Sequence, residues 1–72
     1  MASNDNEKQR QKLGKILLDA REVAKLTQKQ VAEASGVHTN FYARVERGEE
    51  NPSFEKLQSI MQVLKIKSID LL

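Results

Sequence analysis

At 72 residues the chain has room for one domain, and a fold of that size buries only a modest fraction of its surface. It contains no cysteine, so neither a disulfide nor a thiolate metal site can staple it, and stability must come from helix packing, helped or not by a second subunit. The formal net charge of +2 divides into +2 over residues 1–25, −1 over 26–50 and +1 over 51–72, so charge alone does not single out a polyanion as partner.

The longest apolar runs, such as Ile16 to Leu18, are three residues long. That excludes a membrane span and a secretory signal, and the chain reads as a cytoplasmic protein. Residues 1–7, MASNDNE, are polar and unpatterned and read as a flexible tail ahead of a domain over 8–72. From Lys8 the pattern becomes helical: Leu13, Ile16, Leu17, Ala20 and Ala24 form one stripe of an amphipathic helix.

Thr27 is a good N-cap for a second helix, and Gln30 three residues later completes a capping box. Val31, Ala32 and Ala34 are small and apolar, and Gly36 suits the left-handed position that closes a helix. A helix of about eight residues is too short to persist without tertiary packing. Val37 would plug the turn into the core, and His38 or Thr39 would cap a third helix running to about Arg47 and ended by Gly48. Glu-Glu-Asn-Pro reads as a loop, and Ser53 caps a fourth helix from Phe54 in which Leu57, Ile60, Met61 and Leu64 repeat at helical spacing. Phe54, Leu57 and Ile60 read as structural. Ser68 would cap a short fifth helix that the end of the sequence cuts off. With no repeat, low-complexity tract or strand-period run, the fold class is all-α: five helices in one compact domain.

Two short helices joined across Ala-Glu-Ala-Ser-Gly-Val fit a helix-turn-helix. The two helices cross steeply, so the contacting face of the first must be small, which suits Ala32 and Ala34. Tyr42 and Val45, three apart, would face inward, leaving Thr39, Asn40, Ala43 and Arg44 on an exposed side. Those residue types can read base edges in a major groove. Asn can bond adenine N6 and N7, Arg can fork onto guanine O6 and N7, and a Thr methyl can meet a thymine methyl.

The pieces LTQ, VAEASGV, RVERG, NPS and LKIKSIDLL, with LGKILLDAR upstream, together resemble the Cro/cI-type, XRE-like helix-turn-helix regulators, which include the controller proteins of restriction–modification systems. The resemblance runs from about Leu13 to Leu72. It implies a five-helix, lambda-repressor-like DNA-binding domain whose second helix crosses the DNA backbone, with Gln28 near a phosphate. The third helix would enter the major groove, with base contacts from His38, Thr39, Asn40 and Arg44. Phosphate contacts would come from around the loop RGEENPS, with Arg47 and Asn51 as the candidates there. Arg21 and Glu46 would form an internal ion pair. The chain departs from the pattern at Lys25, where many relatives have glycine and where an altered turn is expected. It departs again at Glu49 and Glu50, where relatives often carry lysine or arginine, and at the bulky Phe41, which either packs on the fourth helix or touches DNA.

The reading is a sequence-specific double-stranded DNA-binding transcriptional regulator, acting as a homodimer on an inverted repeat and more simply a repressor than an activator. His38 serves equally as a helix cap or a base contact. The rival is a protein-interaction module, an antitoxin or bridging adaptor on the same fold. An enzyme fares badly, because one histidine, no cysteine and no clustered carboxylate pair leave no workable catalytic set, and no cofactor or metal is implied. The sequence stops as the fifth helix begins, so the chain reads either as a natural small protein or as the DNA-binding part of a longer regulator.

Overall fold

The computed structural model describes residues 2–67. Among them the chain forms four helices: α1 (Ala2–Ala24), α2 (Gln28–Ser35), α3 (Thr39–Glu46) and α4 (Phe54–Leu64). The expected fifth helix, with its cap at Ser68, lies outside the described residues. α1 starts at Ala2 and not near Lys8, so residues 2–7, expected as a tail, are helical. Apolar periodicity marks only the part of a helix that meets a core. Ahead of it this chain has no glycine or proline to stop the helix running on. At 1.5 Å per residue α1 makes a rod of about 34 Å, and the longest extent of the molecule is 35 Å.

Each helix gives two side chains to the buried centre: Leu13 and Leu17 from α1, Val31 and Ala32 from α2, Tyr42 and Val45 from α3, Ile60 and Leu64 from α4. Three of the four pairs sit three or four residues apart, where a helix stacks side chains on one face. α2 packs on α3 and α4, and α1 packs on the same two helices. Ala20, Leu26, Val37, Phe41, Leu57, Val63 and Ile66 close over the centre.

Of the apolar residues expected in the core, Ile16 and Met61 are only half-buried and three more are exposed. Ala24 and Ala34 are exposed, the second because it sits across the helix from Ala32. Phe54 is 76% exposed; six residues before Ile60, it stands about a third of a turn off the buried face of α4.

All four helices end in the same way. Leu26 N–H donates to the Arg21 carbonyl (3.1 Å), Val37 to Ala32 (3.0 Å), Glu49 to Arg44 (2.8 Å) and Ile66 to Met61 (2.9 Å). The residue before each donor is left-handed: Lys25 (φ 59°), Gly36 (78°), Gly48 (78°) and Lys65 (60°). This is the Schellman closure, which satisfies carbonyls the helix leaves open. Lys25, expected to alter its turn, instead takes the backbone a glycine would take. Leu26, Val37 and Ile66 each add an apolar side chain that packs on the core, the common companion of this motif. Glu49 adds a charge.

The helix starts follow the local code. Thr27 accepts from Gln30 N–H at 3.0 Å while the Gln30 side chain accepts from Thr27 N–H at 2.8 Å. Ser53 accepts from Lys56 N–H at 3.2 Å. His38 occupies the N-cap position of α3 without a side-chain capping bond.

α1 meets the end of α3 backbone to backbone at Gly14. A Cβ there would fall onto the Glu46 carbonyl oxygen and lie 2.7 Å from that of Val45. One turn earlier, Arg10 Nε donates to the Gly48 carbonyl at 3.2 Å. Two substitutions should therefore act with opposite signs in urea unfolding. Gly14→Ala, which would stabilise an exposed helix, should cost about 1–3 kcal/mol by forcing α1 and α3 apart. Lys25→Gly should add about 0.5–1 kcal/mol by relieving the left-handed strain of a residue with a Cβ.

Candidate nucleic-acid interface

α3 is divided lengthwise. Tyr42 and Val45 are fully buried, whereas Asn40, Arg44 and Arg47 are exposed and Ala43 is half-buried. Positions 40, 43, 44 and 47 share one face of a helix, opposite the buried pair. His38 is exposed ahead of the first turn, and Thr39, the first helical residue, is half-buried at the edge of the face. The structure thus puts Asn40 and Arg44 on one face of α3, with Thr39 at its edge and His38 exposed ahead of the helix. Asn51 is exposed in the loop that follows.

What fixes α3 in place is a partly buried ion pair. Arg21 Nε meets Glu46 Oε2 at 2.6 Å, and the two side chains are 16% and 4% exposed. Arg21 Nη2 reaches the other carboxylate oxygen at 3.2 Å, and Nη1 donates to the Leu26 carbonyl at 2.9 Å. Gln28 Nε2 donates to Glu46 Oε1 at 2.9 Å. Gln28, whose side chain was expected to face a phosphate, is therefore half-buried and engaged within the protein. Burial would push the Glu46 carboxyl up, but the Arg21 guanidinium, the neighbouring Tyr42 hydroxyl and the Gln28 amide outweigh it and hold the carboxyl below its ordinary value. The hydrogen bond to Glu46 in turn raises Arg21, against the effect of its burial.

Tyr42 sits beside this network with its hydroxyl buried and without a hydrogen bond of good geometry. Burial, followed by the Glu46 charge, pushes its pKa far above the ordinary tyrosine range. Phe41 is half-buried and packs on the core. The Lys56 ammonium, in the first turn of α4, lies 4.8 Å from its ring centroid, so the ring's packing surface faces the fourth helix.

Sequence reasoning missed the partners of the exposed arginines. Arg44 Nη1 lies 3.4 Å from Glu50 Oε2. Arg47 forks onto Glu49, Nε to Oε2 at 3.0 Å and Nη2 to Oε1 at 3.2 Å. The only cue in the sequence was the run Arg-Gly-Glu-Glu, in which a turn at Gly48 folds the acids back toward α3. Among the described residues no group of His, Cys, Asp and Glu could hold a metal, and no helix is long and apolar enough to cross a membrane.

A family model described as helix-turn-helix matches residues 17–72, which takes in α2, the turn at Gly36 and α3. The chain belongs to the helix-turn-helix family. Within it the chain is an XRE-like regulator of the DNA-binding kind, the type its motifs resemble. No curated protein and no solved structure matches the chain at a significant level.

The ion pair sets an acid limit on the domain. Because the folded carboxyl of Glu46 lies below its unfolded value, its contribution is complete above the usual carboxylate range and is lost as pH falls through the depressed value. Glu46→Ala should cost about 3–5 kcal/mol at neutral pH by stranding the Arg21 charge. Urea titrations across pH should show the gap between wild type and variant narrowing at acid pH.

Proposed function

We propose that this domain is a sequence-specific transcriptional regulator that binds double-stranded DNA as a homodimer in the cytoplasm and represses by covering an operator against polymerase. The observation that carries it is the divided surface of α3. Tyr42 and Val45 anchor one side in the core, while Asn40 and Arg44 stand exposed on the other, with Thr39 at their edge and His38 exposed just before the helix. Asn40 and Arg44 are four residues apart, so both can reach into one groove. Asn40 suits adenine and Arg44 suits guanine. Ala43 between them keeps the face low, which lets the helix approach closely.

Arg47 and Asn51 lie toward the loop end of α3, where backbone phosphates would run. Gln28 spends one Nε2 hydrogen on Glu46 and would offer a phosphate the other, because its amide oxygen can only accept. A two-fold dimer would set two recognition helices about 34 Å apart on an inverted repeat.

The direct experiment is selection of bound sequences from a random duplex library with the purified 72-residue chain. Convergence on an inverted repeat is the expected result. Recovery of a lone half-site would remove the dimer from the proposal. Absence of enrichment even at low salt would remove DNA and favour a protein partner for the same helices. On the selected operator, Arg44→Ala should cost about 1–3 kcal/mol and relax preference at one base pair per half-site. An equal loss on every sequence would make Arg44 a phosphate contact.

A further inference from the structure

Both exposed arginines of the recognition helix are paired with acids from the turn that follows it. The pairing is imposed by the backbone. Gly48 takes a left-handed φ of 78°, and Glu49 N–H closes on the Arg44 carbonyl at 2.8 Å. This closure folds residues 49 and 50 alongside the last turn of α3. At the other three helix ends the residue in the position of Glu49 is Leu26, Val37 or Ile66, each packed on the core. Here that position carries a carboxylate that grips Arg47 through both oxygens, and the next residue holds Arg44.

These pairs are solvent-exposed, with Arg44 and Arg47 53% and 57% accessible, so they add little to the stability of the fold. Their chemistry is that of a nucleic-acid contact, because a guanidinium forks onto a carboxylate as it forks onto a phosphate. Each glutamate therefore holds the place a phosphate oxygen would take. Resting on the duplex-DNA function proposed above, we propose that Glu49 and Glu50 are specificity-determining residues. They compete with phosphate for Arg47 and Arg44, withhold both arginines from arbitrary duplex, and yield them where matching base edges add to the attraction. The charge balance agrees: the segment 26–50, which holds the whole helix-turn-helix, has a net charge of −1. Sequence-independent affinity rises with the number of phosphates a protein neutralises, and these pairs reduce that number.

The test compares wild type with Glu49→Gln/Glu50→Gln on a random duplex and on the selected operator, over a range of salt. The double variant should bind random duplex on the order of tenfold tighter at moderate salt, with a log–log salt slope steeper by about 0.9 for each arginine released. The operator should gain less, because Arg44 is already committed to a base there. The same glutamine pair placed in an Arg44→Ala/Arg47→Ala background should bring no gain, which shows that the acids act through the arginines. Glu22→Gln/Glu33→Gln, with the same change in net charge, should leave the slope unmoved. Unchanged affinity and slope in Glu49→Gln/Glu50→Gln while wild type binds would overturn this proposal alone. So would a gain of equal size in the arginine-free background, or an equal gain on operator and random duplex. Failure of wild type and variants alike to bind any duplex at low salt would take down the DNA function with it.

Discussion

The geometry of this domain depends on one carboxylate. Glu46 is pinned twice, by its backbone against Gly14 and by its side chain against Arg21 and Gln28. Arg21 sits near the end of α1 and also holds the Leu26 carbonyl in the turn to α2, so three helices converge on a single ion pair. Two charges drawn partly out of water are costly, and the pair is tolerable because both carboxylate oxygens and all three guanidinium nitrogens are engaged. The Tyr42 hydroxyl is the polar group left over. Because the last residue of α3 is clamped in this way, the exposed face of the same helix has a fixed azimuth toward whatever it meets.

Much of this was readable from the sequence, and the readable parts share a cause. The caps at Thr27 and Ser53 and the turn at Gly36 are chemistry between residues a few positions apart, so a linear reading finds them. Spacing alone places Tyr42 and Val45 inward. The features that escaped depend on residues far apart in the chain. Nothing near Gly14 announces that the carbonyls of Val45 and Glu46 lie against it. A glycine inside a helical stripe was the available hint of a close approach. Phe54 looked like core because apolarity was judged without knowing where the buried face of α4 begins. The first turns of α1 were missed because helix can extend past the point at which it has anything to pack against.

The candidate site divides similarly. Its outward residues were legible once the inward ones were known, because a helix has only so many faces. Their electrostatic partners were not, since pairing across Gly48 requires knowing that the chain reverses there with a left-handed residue. Family resemblance drew attention to Glu49 and Glu50 as departures in charge. The fold converts that departure into contacts with two particular arginines, and so moves the question from net charge to competition at the contact surface. Gln28 shows the reverse case, a residue expected to face outward whose amide is recruited by the ion pair.

The even division of the core, two side chains from every helix, has a dynamic consequence. Among the described residues, no helix can detach without removing a quarter of the buried centre, and none is backed by a second core that would survive the loss. Local opening of α3 is then energetically close to opening of the entire domain. Amide protons in the middle of α3 should exchange with solvent only through global unfolding, at the same free energy as those of α1. The surface offered outward thus has the lifetime of the native state itself, and a partner meets it already formed.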